Sequence, residues 1–310
     1  MRFFGKTSID FSAKRRIAFI ISGLVILAGI VSLVINGGPK YGIDFKGGLV
    51  TELNLTPSNS SLPELDAQQL REGLAKDGIK NIEIQNITEN GKKYFVIKAE
   101  KSKDLADKII ASVKKEFPKY VNKNMIRRQD SVGPKIGKEL RGKAVLAIFY
   151  SLLGIIIYIW WRFEFTFGIA AVIALFHDVM ITIGIFSIFG KEINLTIVAA
   201  LLTIVGYSLN DTIVVFDRIR EDLRFYRKET YESIINHSIN ETLSRTIITS
   251  LTTFLVVFVL FISGGTVIHN FAFALMVGVI VGTYSSIFIA SPILVEYFLR
   301  KGDKKRVKKL

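Results

Sequence analysis

Two ionisable side chains in the apolar second half of the chain have the chemistry of an ion-coupling site. Asp211 lies in the segment GYSLNDTIVVFDRIRE (206–221), and Arg245 stands at the start of another apolar segment. A carboxylate inside a membrane costs about 2.5–3.5 kcal/mol on insertion scales, so it needs a partner or water. The two segments run in opposite directions, which puts both residues at similar depth. We therefore predict that they pair and that Asp211 exchanges a proton; a fixed ion pair that only locks two helices is the alternative.

Neighbouring polar residues are candidates for a proton path or for helix packing. Thr249 and Thr252 follow Arg245 at helical spacing, and together with Glu241 they form one polar stripe that can hold water beside the pair. Asn210 is interpreted as a residue that forms a hydrogen bond between helices.

His177 and Asp178 form a second polar pair, near the middle of another apolar segment. Adjacent side chains point about 100° apart on a helix, so we do not expect these two to pair simply with each other. A proton relay and a packing role both remain open for them.

Small residues predict close backbone approach at two places. In the last apolar segment they repeat every four positions, which is typical of a tightly packed helix face; the members are Gly278, Gly282 and Ser286. The motif YGIDFKGG (41–48) follows the first apolar segment and is interpreted as a hinge or junction, with Asp44 fixing it rather than moving protons. Its glycines are Gly42, Gly47 and Gly48.

The sequence lacks the residues that several other chemistries require. The sequence has no cysteine, so disulfides and thiolate metal sites are excluded, and three histidines are too few for a histidine-rich metal site. The segment GPKIGKE (133–139) lacks the spacing and the hydroxyl residue of a nucleotide-binding loop. We therefore expect no metal, no cofactor and no enzymatic reaction, and an ion gradient as the energy source. A carboxylate beside an arginine favours H⁺ over Na⁺.

The elements that must position these residues are six membrane spans. Half of the 310 residues are hydrophobic, and a span needs roughly 20 apolar residues. Spans are predicted at 17–35, 144–161, 165–189, 193–216, 246–263 and 271–295. Lysine and arginine concentrate before the first span, between 217 and 245 and from 300 onward, which places both termini in the cytoplasm. Residues 1–16 form the cytoplasmic N-terminus, 217–245 an interfacial cytoplasmic helix and 300–310 a basic tail, with lipid rather than nucleic acid as the partner of these charges.

Residues 36–140 form the remaining, extracytoplasmic domain. Alternating apolar residues predict strands near 49–55, 81–87, 94–99 and 124–132, and the Asn90-Gly91 pair predicts a hairpin turn. One helix is predicted from the capping pattern at Ser61 to about Lys76, and a second from a cap at Ser102 to Phe117. The order β-α-β-β-α-β predicts an α+β, ferredoxin-like fold.

Five motifs in this order resemble the SecF family of bacterial protein-export subunits, which is related to proton-driven exporters of the resistance-nodulation-division superfamily. They are YGIDFKGG (41–48), LFHDV (175–179), VGYSLNDTIVVFDRIRE (205–221), NETLSRTIITSLTT (240–253) and VGTYSSIFIASP (281–292). The resemblance covers nearly the whole chain. It implies a multi-pass protein of the bacterial cytoplasmic membrane that promotes late, ATP-independent export with the proton motive force. By motif match it places the family's coupling carboxylate at Asp211 and its arginine at Arg245.

The same resemblance implies partners and leaves two alternatives. The implied partners are SecD in a heterodimer, the SecYEG channel with YajC and YidC as further candidates, and unfolded chains in transit. One alternative is a stand-alone proton-driven exporter of small molecules or lipids, for which twice as many spans are expected. The other is a scaffold that carries no ions, in which Asp211 serves only as a lock.

Overall fold

The computed structural model describes residues 7–57, 62–80, 82–89, 92–100 and 104–300. Within the described residues two compact units are formed, one by Tyr41–Leu146 and one by residues 7–40 together with 147–300. The elements in chain order are α1 (Arg15–Ile35), α2 (Ile43–Lys46), β1 (Gly48–Leu53), α3 (Ala67–Lys76), β2 (Ile82–Glu89), β3 (Lys92–Ala99), α4 (Leu105–Glu116), β4 (Ile126–Val132), α5 (Pro134–Arg162), α6 (Phe165–Ile188), α7 (Leu195–Phe225), α8 (Tyr231–Ser263), α9 (Thr266–Ser285) and α10 (Ser291–Arg300).

The Tyr41–Leu146 unit contains a four-stranded antiparallel sheet in the order β2-β3-β1-β4. In its register Thr51 of β1 lies opposite Ile97 of β3 on one side and Gln129 of β4 on the other. The element order and the sheet order together confirm the predicted ferredoxin-like fold.

One hydrophobic core holds the sheet and its two helices together. Leu49 and Leu53 are buried on the same face of β1, as expected from the two-residue period of a strand. They meet the apolar stripes of α3 and α4, whose members recur every four residues. The innermost side chains are Leu49, Leu53, Leu70, Leu74, Phe95, Ile97, Ile109 and Val113.

The predicted start of the first domain helix is wrong by six residues. α3 begins at Ala67 rather than near Ser61, because the N-cap is Asp66, whose backbone N–H donates to the side chain of Gln69 at 3.1 Å. Its end at Lys76 is as predicted. Ser61, the Asn90-Gly91 turn and the cap at Ser102 lie outside the described residues.

Six helices in the described part of the chain are long and apolar enough to cross a membrane, as predicted, and the protein is therefore a multi-pass membrane protein. They comprise α1, α5, α6, α7, α8 and a last span that runs from α9 into α10. α6 and α7 are the most enclosed, whereas α1, α5 and α8 expose most of their apolar side chains. Trp160 and Trp161, near the end of α5, are among the most exposed.

The structure contradicts the prediction of a separate interfacial helix over residues 217–245. These residues instead extend α7 to Phe225 and start α8 at Tyr231. The start of α8 is packed against other helices, because Ile235 and Ile239 are buried in the core of the membrane unit. The last predicted segment, 300–310, lies outside the described residues except for Arg300, where α10 ends.

A π-helical turn over Ser286–Ala290 interrupts the last span. Its cause is Pro292, which has no N–H and clashes with the preceding turn of an α-helix. The hydroxyl of Ser291 donates to the carbonyl of Ser286 at 2.8 Å and satisfies a backbone acceptor in the distorted turn. The effect of Pro292 on the last span is therefore a widened turn just before it.

Candidate ion-coupling site

Asp211 is positioned by the middle of α7. The helix is capped by the side chain of Asn194, which accepts the N–H of Ile197 at 2.9 Å. Ser208, Asp211, Thr212 and Val215 occupy its buried face, and Asp211 is only 3% exposed. The sequence therefore places a carboxylate inside the bundle, as its cost in lipid requires.

Hydroxyl groups from two other helices hold this carboxylate. Ser250 of α8 donates to Oδ2 of Asp211 at 3.1 Å, and Thr283 of α9 donates to the Ser250 oxygen at 2.7 Å. A hydrogen-bonded chain thus joins α9, α8 and α7 and ends at Asp211. Neither Ser250 nor Thr283 was singled out by sequence reasoning, although Ser250 adjoins Thr249 in the polar stripe.

The predicted contact between Asp211 and Arg245 is not formed. No hydrogen bond or ion pair within 4 Å joins them in the described structure, and Arg245 is exposed, although its charge still acts on the carboxylate. Both direction and depth differ, because Arg245 lies about 7.5 Å along the axis of α8 from Ser250, the residue that contacts Asp211. Ser250 and Arg245 are five residues apart on α8, so they point about 140° apart around the helix axis, and Ser250 takes the position facing Asp211.

The other residues of the predicted path also face outward. Asn210, Thr249 and Thr252 are exposed. The threonine hydroxyls donate to carbonyls of their own helix: Thr249 to Arg245 at 3.0 Å and Thr252 to Ile248 at 3.0 Å. This local bonding is the usual fate of a threonine within a helix. In the single chain these residues therefore line an outer face of α7 and α8 and do not touch Asp211.

The expectation that His177 and Asp178 do not pair is wrong. Nδ1 of His177 lies 2.8 Å from Oδ1 of Asp178, because the two side chains lean toward each other despite their different directions from the helix axis. Oδ2 of Asp178 accepts hydroxyl hydrogen bonds from Ser208 of α7 and from Ser285 of α9, the latter at 2.8 Å. Asp178 is 0% exposed. Sequence reasoning missed both serines.

The small residues of the last span lie against α7 at matching intervals of four residues. A Cβ built on Gly278 would come within 2.2 Å of Ile204, and one built on Gly282 within 3.0 Å of Ser208. Ser286 is one helical step farther along and hydrogen-bonds Thr212 at 2.9 Å. Each contact is repeated four residues later on both helices, so α7 and α9 approach each other along an extended line.

The YGIDFKGG motif is a tightly packed turn within the Tyr41–Leu146 unit. Asp44 lies in the short helix α2, which begins after Gly42. Gly47 and Gly48 have φ of +79° and +145°, and a Cβ would fall 2.9 Å from the backbone of Pro134 in the first case and 2.8 Å from the carbonyl of Ala99 in the second. Glycine is thus required at positions 47 and 48, because their positive φ angles disfavour other residues and neighbouring backbone atoms leave no room for a side chain.

One cluster of potential metal ligands is already occupied by an arginine. Asp222, His237 and Glu241 have donor atoms within 4.8 Å of one another. The guanidinium of Arg218 contacts the carboxylates of Asp222, at 3.0 Å, and of Glu241. The arginine thus bridges both acids, and the cluster forms an ion-pair network between α7 and α8.

Comparison with known proteins identifies close relatives along the whole chain. The family described as protein export membrane protein SecD/SecF, C-terminal, matches residues 112–300. A protein translocase subunit SecF from Calditerrivibrio nitroreducens is 45% identical over 97% of this chain and 96% of its own. In Brucella abortus a protein translocase subunit SecDF is 41% identical over 92% of this chain and 37% of its own.

Solved structures show the same architecture. The crystal structure of SecDF from Thermus thermophilus, described as a translocon-associated membrane protein, matches with a TM-score of 0.82 and 36% identity over 95% of this chain. A super-membrane-facing form of SecDF matches with a TM-score of 0.70 and 35% identity over 99%. The chain spans about two fifths of these SecDF chains, 39% and 41% respectively.

Proposed function

Because the chain belongs to the SecD/SecF family of protein export membrane proteins, we propose that it works as a SecF-type subunit that uses the proton motive force in late, ATP-independent protein export. The observation that carries the proposal is the carboxylate of Asp211, buried in the bundle and held by a hydroxyl chain from two other helices. A buried membrane carboxylate is the usual mark of an ion pathway. In this proposal the chain performs no covalent chemistry.

Protonation of Asp211 is the proposed energy-coupling event. The ionised carboxylate attracts the O–H of Ser250 and feels the charge of Arg245. Adding a proton removes the charge and with it most of both attractions. Since Ser250 is itself bonded to Thr283, the change reaches α8 and α9 as well as α7. The helices then rearrange, and this motion is passed to the domain that carries the sheet.

A SecD partner is proposed to cover the polar outer face of α7 and α8. Exposed polar residues recur there at helical spacing, and in lipid such groups are costly unless a neighbouring helix satisfies them. The residues are Thr203 and Asn210 on α7 and Arg245, Thr249 and Thr252 on α8. The existence of relatives in which both parts form one SecDF chain supports this arrangement.

The proposed setting is the bacterial cytoplasmic membrane. Both termini lie in the cytoplasm and the sheet domain (36–140) outside it, as the distribution of lysine and arginine indicates. The complex would act beside the SecYEG channel, with YajC and YidC as further neighbours, on unfolded chains in transit. Coupling to H⁺ rather than Na⁺ is proposed because the described groups around Asp211 form a single hydroxyl chain, whereas Na⁺ needs several converging oxygens.

The test follows completion of a stalled precursor in membrane vesicles that contain the complex and the channel. ATP is removed, and completion is measured with and without a proton gradient. We expect Asp211→Asn to assemble normally but to lose the gradient-dependent part. Asp217→Asn is the matched control, because Asp217 lies on the same helix in an exposed pair with Arg162 at 2.8 Å. Full gradient-driven completion by Asp211→Asn would instead identify the chain as a scaffold.

A further inference from the structure

His177 and Asp178 form a second buried polar cluster, separate from the Asp211 contacts. Three helices supply its donors: α6 through the imidazole of His177, α7 through Ser208 and α9 through Ser285. Both ionisable side chains are enclosed, with His177 at 5% and Asp178 at 0% exposure. Burial of two titratable groups in a membrane span is costly, so a packing role alone gives little reason for them.

The hydrogen bonds indicate which nitrogen of His177 is available. Hydroxyl groups donate to one oxygen of Asp178, and Nδ1 of His177 is bonded to the other. A neutral imidazole that donates through Nδ1 carries its lone pair on Nε2. In the described structure Nε2 is buried and has no hydrogen-bond partner. The unpartnered atom is therefore a proton acceptor.

The net charge of the pair favours the addition of a proton to Nε2 of His177. With Nε2 unprotonated, the pair carries one negative charge, and no lysine or arginine within the described residues forms an ion pair with Asp178. A buried carboxylate without a cation is strongly disfavoured. A proton added to the Nε2 lone pair forms an N–H bond, leaves the Nδ1 hydrogen bond in place and makes the pair neutral overall.

We propose that His177 and Asp178 form a second proton-binding site, in which Nε2 of His177 takes the proton and the carboxylate of Asp178 balances its charge. The physiological role of this site rests on the proposed proton-driven function, but proton binding itself can be measured independently. Two positions would let the subunit hold protons on α6 and on α7 at once.

The groups that face the pair are mostly neutral. The ring of Tyr284 on α9 stacks on His177 at 6.2 Å, and its hydroxyl contacts α1 through Ser22 at 3.2 Å and the carbonyl of Ala18. On α7, Ser208 contacts the carboxylate, and Asp211 follows it by three residues. Tyr284 and Asp211 are thus two titratable groups on neighbouring helices whose proton binding must be distinguished from that of the pair.

The test is ¹⁵N NMR of the imidazoles in the full chain purified with its SecD partner. The sequence has only three histidines, and His237→Gln leaves His177 and His269. We expect His177 to be protonated on Nδ1 alone at high pH and on both nitrogens after acidification within pH 5–9, as a histidine with a carboxylate partner can be. In Asp178→Asn the second protonation should disappear from this range.

His269 is a matched control within the same chain. It also stacks on an aromatic ring, that of Phe261 at 4.1 Å, but its Nδ1 lies 2.9 Å from a neutral carbonyl. Its titration should be the same in Asp178→Asn and in the parent. Asp211→Asn should leave the second protonation of His177 in place, which separates this site from the one that drives export.

Three results would overturn the inference. They are a neutral His177 throughout the range, a hydrogen on Nε2 rather than Nδ1 at high pH, and a second protonation that persists in Asp178→Asn. The first two need only the parent protein, so they remain decisive if Asp178→Asn does not fold. Ser285→Ala, which removes one donor but keeps the acid, should retain the second protonation.

Discussion

Hydroxyl partners suit a carboxylate that must exist in two protonation states. A serine or threonine hydroxyl can donate to an ionised carboxylate and can accept a hydrogen bond from a protonated one. An arginine can only donate, and it favours the ionised state alone. The contact of Asp211 with Ser250, backed by Thr283, can therefore be kept in both of the proposed protonation states.

Removing the serine hydroxyl tests this role at the residue scale. Ser250→Ala should reduce gradient-driven export by about threefold to tenfold, because a hydrogen bond to a charged group contributes roughly 1.5–3 kcal/mol and part of this loss is regained from Thr283 or water. The measurement is the vesicle assay described above. Thr253→Ala is the control, since Thr253 is on the same helix and donates to the carbonyl of Thr249. Equal effects of the two variants would refute a specific role for Ser250.

At the scale of elements, the line of contact between α7 and α9 depends on side-chain size. Gly278 leaves no room for a side chain because Ile204 fills the space above it. Adding a large group should force the helices apart and strain the core, which typically costs about 1–3 kcal/mol. The same line carries Ser208 and Ser286, so its separation would also disturb the polar contacts of α7.

Gly278→Leu should accordingly lower the thermal unfolding temperature of the purified complex. Ile204→Ala, combined with it, should recover part of the loss, because the two residues compete for one space and their effects are then not additive. Gly206→Ala on α7 is the control, since a Cβ there meets nothing within 4 Å and alanine favours the helix. If the effects of Gly278→Leu and Ile204→Ala were additive in the double variant, direct competition of the two side chains for one space would be ruled out.

The motif YGIDFKGG (41–48) leads to a different prediction, because Gly47 and Gly48 combine positive φ angles with close packing. Gly47→Ala should destabilise the sheet domain by about 2–6 kcal/mol, the sum of a disfavoured dihedral and an overpacked site. Gly78→Ala isolates the first contribution, because Gly78 lies in the same domain and has φ of +82° but open space around it. Protease resistance of the domain in the assembled complex is the measurement, and equal resistance of both variants would exclude the packing contribution.

Periodicity predicted the elements well but could not predict which way their side chains point. The six spans and the β-α-β-β-α-β order follow from runs and alternations of apolar residues, which are local properties. Arg245 was expected at the start of its helix and beside Asp211, whereas α8 already begins at Tyr231 and Ser250 contacts Asp211 instead. Which residue of α8 faces Asp211 depends on how the helices pack, and a local pattern does not show this. His177 and Asp178 show the same limit, since their pairing depends on rotamers set by Ser208 and Ser285.

For the whole molecule, the exposed polar residues of α7 and α8 imply an interface. The sequence contains no cysteine, so single cysteines can be introduced without background. We expect Asn210→Cys, in complexes with the SecD partner, to react slowly with a maleimide and to cross-link to SecD. Val259→Cys, on the exposed apolar side of α8, is the control and should cross-link less. Rapid labelling of position 210 in the complex would contradict the proposed interface.

The strand order of the domain also determines when the domain can fold. β1 lies in the interior of the sheet and pairs with β4, whose last residue, Val132, is opposite Gly48. About 80 residues must therefore emerge after β1 before its second neighbour exists, which takes on the order of ten seconds at roughly 5–20 residues per second. Throughout that interval one edge of β1 is unpaired and open to other chains. The sheet topology thus sets a period during synthesis in which β1 can pair with other chains. This period ends only when β4 is complete and α5 begins to appear.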